Sequence, residues 1–188
     1  MRIVVATEAR FHRGPHGTVL ARTPGEAYQH WTSYLGPYQE VVVLGRVGAA
    51  HAGTGAPGTR DGGFPVEGDG VRVLAAPPYL GPAAYLRTRQ SLRSVISVGL
   101  ASGGPLAPTP FQRAADPAEL RADGRSPHIV DTRYLAVMPG LVGAALIREV
   151  HRRRLPFAME IIGDAEAVAG GMFGAWARPA ARHWMARR

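Results

Sequence analysis

Cysteine, lysine and asparagine are all missing from the 188 residues. Without cysteine the chain can form no disulfide, no thiolate metal site and no cysteine nucleophile. Without lysine, all 22 basic residues are arginines, a bias that reads as the codon usage of a GC-rich genome more than as selection for guanidinium chemistry. Long apolar runs are absent too. None approaches the ~20 residues that a membrane-spanning helix needs. The opening MRIVVATEARF has too short an apolar run and no small-residue cleavage pattern, so it does not read as a signal peptide. The expected location is the cytoplasm, with peripheral contact at the inner membrane face left open through the arginines. Two motifs are also lacking. No G-x-G-x-x-G follows the first apolar run, which removes support for a nicotinamide or flavin site. No G-x-S-x-G elbow surrounds a serine, and Thr18, Ser33 and Ser102 stand in no nucleophile context.

What is present is positive charge, helix–strand alternation and glycine. The net charge is +8, which favours anionic partners such as sugar nucleotides, phosphorylated acceptors, acidic membrane surfaces or nucleic acid, or else a merely basic surface. No nucleic-acid-binding motif accompanies the charge, so nucleic acid is not an expected partner. The length suits one domain with a proper core.

The most informative stretch is PGLVGAALIREVHRRRLPFAMEIIGD, residues 139–164. Pro139 suits the first position of a helix. Leu141, Val142, Ala145, Leu146 and Val150 then recur at helical spacing. Arg152, Arg153 and Arg154 favour the negative end of the helix dipole and read best as a solvated helix end. Pro156 stops the helix. The run 157–162 reads as a buried strand of a parallel sheet, closed by Gly163 and Asp164. Glu160 is the one charge inside that run. It either pairs with an arginine or does chemistry at a strand end. Asp164 either caps the next helix or shares that chemistry.

Elsewhere RIVVAT (2–7) is a strong first strand and residues 8–17 a loop carrying Arg10, His12, Arg13, Gly14, His16 and Gly17. Arg13 and Gly14 could present a guanidinium and backbone N–H groups to a phosphate, or form a plain surface turn. His12 and His16 have a metal-like spacing but lie in a Gly-Pro loop without a third ligand, so no metal is expected. Thr23 and Pro24 begin a helix reaching about Leu35. Residues 40–47 form a second strand, the glycine-rich 48–70 a loop, and 71–76 a third strand. Gly81-Pro82 opens a helix through Ile96. Residues 99–127 form an irregular insertion, 134–138 a fourth strand, and 176–188 a basic, aromatic tail. This alternation of strands and helices predicts an α/β fold: a parallel sheet with helices on both faces, Rossmann-like, in one domain spanning 1–188.

Four blocks carry a resemblance: MRIVVATEARFHRGPHG, EVVVLGRV, GVRVLAAPPYLGPAAYL and VMPGLVGAALIREVHRRRLPFAMEIIGD. In order and spacing they resemble the amino-terminal half of bacterial GT-B glycosyltransferases of the GT4 type. Ala165 stands where many relatives carry proline. The resemblance implies one of two Rossmann-like domains facing a cleft. This one would hold a carbohydrate or lipid-linked acceptor, while a separate or missing donor domain would hold the nucleotide sugar. It implies transfer with retention, no metal and no cofactor, in envelope polysaccharide or glycolipid synthesis. It assigns donor-phosphate or acceptor contacts to His12, Arg13, Gly14 and Gly17. Glu160 and Asp164 become the candidate catalytic pair, with Gly140 and Gly163 beside the substrate. The alternative expectation is a non-catalytic Rossmann-like partner of a glycosyltransferase, docked to it or to a membrane.

Overall fold

A computed structural model describes residues 1–49, 63–101 and 131–162. Residues 102–127 of the expected insertion, Gly163, Asp164 and the basic tail lie outside the described residues. Strand β1 spans Arg2–Arg13, β2 Val19–Ala21, β3 Glu40–Gly48, β4 Phe64–Pro65, β5 Val71–Ala76, β6 Thr132–Met138 and β7 Ala158–Ile161. Helix α1 spans Tyr28–Thr32, α2 Gly81–Ala101 and α3 Leu141–Arg152.

These strands form one seven-stranded sheet. Its parallel part runs β5-β3-β1-β6-β7. Renumbered by chain order, that path reads 3-2-1-4-5. β3 (EVVVLGRVG) has apolar residues on both faces, as suits its interior place between β1 and β5. The sheet is not wholly parallel, however. β2 runs antiparallel to the far end of β1, and β4 antiparallel to β2. The fold is therefore α/β with a mixed, open sheet.

Alternation along the strands divides the core. Ile3, Val5, Val41, Val43, Val71 and Val73 face α1, whose Trp31 is buried among them. Val4, Ala6, Val42 and Leu44 face α2 and α3, which contribute Leu92, Ile96, Val142, Leu146 and Val150. Helices thus lie on both faces.

Several expectations need correction. Residues 8–13 are strand, not loop: β1 continues through Arg13 because its outer half gains a second neighbour in β2. The helix expected over 23–35 breaks in two. A 3-10 turn covers Pro24–Glu26, and Ala27 is extended at ψ 175° before α1 begins. Trp31 donates its indole N–H to the Glu26 carbonyl at 3.0 Å, so that carbonyl serves the core anchor. Thr23 makes no side-chain cap bond. Pro139 does not open α3; it lies before the cap residue Gly140, after a cis peptide bond. Helix α2 runs on through Ala101, past the expected start of the insertion at Gly99. Strand β7 is exposed along its whole length, not buried, because β6 is its sole neighbour among the described residues. Arg153 is not a solvated helix end: it donates to Glu149 at 2.8 Å and to Ser97 Oγ at 2.7 Å, tying α3 to α2.

Candidate functional site

In open sheets of this kind ligands gather at the carboxyl ends of the strands, where the strand order reverses about the first strand. Here that point lies between β1 and β6. The chain builds it with a bulge. Between Ala6 and Arg10 the register with β3 shifts, so that β1 advances further than its partner, which moves from Leu44 to Arg46. Thr7 Oγ1 supports the bend by accepting from the Ala9 N–H at 3.3 Å. Pairing with β6 stops at Ala6, and pairing with β2 begins at Phe11. Glu8 sits in the fork, a quarter exposed.

Groups from three other parts of the chain converge on its carboxylate. From α3, the Val142 N–H donates to Oε1 at 2.7 Å. From the segment after β5, the Tyr79 hydroxyl lies 2.9 Å from both carboxylate oxygens. From β3, Arg46 Nη2 lies 3.1 Å from Oε2. The same guanidinium donates to the Glu8 and Tyr79 carbonyls and stacks 4.6 Å over the Tyr79 ring. A carboxylate at a helix N-terminus complements the dipole, and the buried Arg46 finds its counter-ion there. Burial, then the charge and hydrogen bond of Glu8, push the Tyr79 phenol well above its ordinary range. It therefore remains a proton donor at any ordinary pH. Gly140 is part of the arrangement. A Cβ there would come within 2.5 Å of Glu8 Cγ, so glycine lets the carboxylate reach the helix end.

The expected site residues fall in three places. His12 and Arg13 end β1. Gly14 and Gly17 belong to the hairpin that joins it to β2. The Gly14 N–H donates to the Thr18 carbonyl at 2.8 Å, and His16 and Gly17 take positive φ, 58° and 80°. Arg13 Nη1 folds back on the Gly17 carbonyl at 3.5 Å. Gly140 stands at the fork beside Glu8. Glu160 lies opposite Val137 on β7, on the α1 face. There burial, and then the Glu160 charge, raise the Tyr34 phenol pKa. Further toward the amino ends of the strands, a cavity of about 350 Å³ opens between Tyr34, Tyr38, Arg133, Pro156 and Phe157. His12 and His16 are separated by the end of the strand. Among the described residues no group of three or more His, Cys, Asp or Glu side chains could hold a metal ion.

Sequence reasoning missed Glu8, Arg46 and Tyr79. One signal was available. Arg46 is a charge inside the apolar run EVVVLGRV, as Glu160 is inside its own. Glu8 carried no such mark, because its segment read as loop.

No protein-family model, curated protein or solved structure matches the chain. Among the described residues no helix is long and apolar enough to cross a membrane.

Proposed function

We propose that this chain is the acceptor-binding half of a retaining glycosyltransferase of GT-B architecture, using a nucleotide sugar for envelope polysaccharide or glycolipid synthesis. The supporting observation is the strand path β5-β3-β1-β6-β7, which has the order of a Rossmann-like domain. The four sequence blocks that carry the resemblance supply β1, β3, β5 with the start of α2, and α3 with β7. On this reading Glu160, at the outer strand of the carboxyl edge, faces the acceptor or the transferred sugar, with Asp164 following it. The residues of the β1–β2 hairpin, His12, Arg13, Gly14 and Gly17, flank the same edge. The test is sugar transfer by the chain together with a donor domain, scored with labelled nucleotide sugar and a membrane-extracted acceptor fraction. Transfer that Glu160→Gln lowers at least tenfold supports the reading. A folded pair that binds no nucleotide sugar refutes it.

A second reading keeps the fold and drops the chemistry: an auxiliary partner of a glycosyltransferase. The exposed apolar side chains of Met159 and Ile161 on β7 favour it, because an edge strand carrying them calls for a covering surface. It predicts that the native chain co-purifies with a transferase whose turnover is unchanged by Glu160→Gln.

A further inference from the structure

The fork at Glu8 has the parts of an oxyanion receptor, and the chain's own carboxylate fills it. A backbone N–H at the start of α3 and a phenol hydroxyl held in its protonated form both donate to Glu8, and a buried arginine pairs with it. Arg46 is only 6 % exposed, and its Nε has no hydrogen-bond partner among the described residues. Its cationic group is therefore committed to this place, with donor capacity to spare. Gly140 packs directly against Glu8, since a methyl group on it would strike Glu8 Cγ, so the Glu8 side chain already occupies the space beside the start of α3. The other usual phosphate cradle of a strand-helix sheet, a helix starting directly after the central strand, is also missing. Beyond its bulge β1 passes through a single 3-10 turn, Pro15–Gly17, into β2, so no α-helix N-terminus follows it.

From these observations we infer that Glu8 is a specificity-determining residue: its carboxylate closes the reversal point of the sheet to phosphate and pyrophosphate groups and leaves that edge to uncharged, hydroxyl-rich ligands. The electrostatics have one sign. An entering phosphate would have to displace an anion bound to Val142, Tyr79 and Arg46 at once, and a phosphate beside Glu8 would meet a like charge. A sugar hydroxyl meets no such barrier and can donate to the carboxylate. The inference deepens the acceptor-half reading by naming the class of ligand admitted. Its test uses no acceptor and no donor domain, so failure of that reading would leave the result interpretable.

The experiment is calorimetric titration of the full chain with inorganic pyrophosphate at low and moderate salt. Wild type is compared with Glu8→Gln, which removes the charge at nearly constant size, and Glu8→Ala, which also opens the space. Both variants are expected to bind pyrophosphate at least tenfold more tightly than wild type, with the gain larger for Glu8→Ala and weakened by salt. Adding Arg46→Gln to Glu8→Ala should abolish the gain. Should Glu8→Ala fail to fold, Glu8→Gln decides alone. Equal pyrophosphate affinity of wild type and variants, or a gain that survives Arg46→Gln, overturns the inference. A purely structural Glu8 would lower thermal stability on substitution while leaving pyrophosphate binding unmoved, which also overturns it.

Discussion

Arg2 gives the sharpest quantitative test of how this sheet is held together. It is 3 % exposed at the amino end of the central strand, and both its Nε and Nη2 lie 2.7 Å from Glu40 Oε2 on β3. Arg2→Met keeps an unbranched apolar stem and removes the guanidinium, leaving the Glu40 carboxylate without its main counter-ion. Breaking a fully buried pair this way costs about 3–5 kcal/mol. Two features reduce that here. Glu40 keeps 21 % of its side-chain exposure, and Arg72 remains 3.8 Å away. We therefore expect a loss of about 2–3 kcal/mol, which for a chain of this size lowers Tm by roughly 5–10 °C. Adding Glu40→Leu removes the stranded charge, so the double variant should recover to within about 1 kcal/mol of wild type. Urea unfolding followed by circular dichroism, with thermal scans alongside, reads both quantities. A single-variant loss below about 1 kcal/mol, or a double variant no better than the single, would refute the reasoning.

Three further outcomes follow from other parts of the fold. The Glu149 pKa is lowered, first by the hydrogen bond from Arg152 and then by that from Arg153. A depressed carboxylate stabilises the fold above its ordinary value of 4.5, and this contribution disappears as the pH falls through the folded value. Glu149→Gln should thus be less stable than wild type at neutral pH, with the gap closing in acid; a gap constant from pH 7 to 3 by denaturant titration would contradict this. Arg154 occupies the left-handed region at φ 56° and ends α3 in a Schellman motif, with Leu155 N–H on the Val150 carbonyl and Arg154 N–H on that of His151. Arg154→Gly should raise stability by about 0.5–1 kcal/mol, seen as a higher Tm. Gly143→Ala should do the reverse despite alanine's helix propensity. Its Cβ would stand 2.8 Å from the Val137 carbonyl oxygen, a backbone atom that cannot step aside. A net loss of about 1–2 kcal/mol is expected, and a rise in Tm would show that α3 can lift from β6 without cost.

The parallel strands and the two long helices were legible because each announces itself locally. VVVL could not sit at a solvated edge, VRVLAA is a short β-branched run that reads as strand even though it ends the sheet among the described residues, and the apolar stripe of 141–150 fits nothing but a helix. β1 beyond Thr7 was not legible. Its outer half is polar on one side and becomes strand through pairing with β2, which lies across a hairpin. Strand β7 was read correctly as strand and wrongly as buried, because the same apolar run suits a central or an edge position until its neighbours are known.

Composition, alternation and spacing determined an α/β chain with helices on both faces and no disulfide, since these depend on residue chemistry and on the periods of helix and strand. Only the tertiary structure decided what stands where the strand order reverses. Glu8 and Arg46 lie far apart in the chain, with Tyr79 and Val142 further still, and no period links them. They meet because the β1 bulge turns Glu8 toward the start of α3, and because a buried arginine must find an anion.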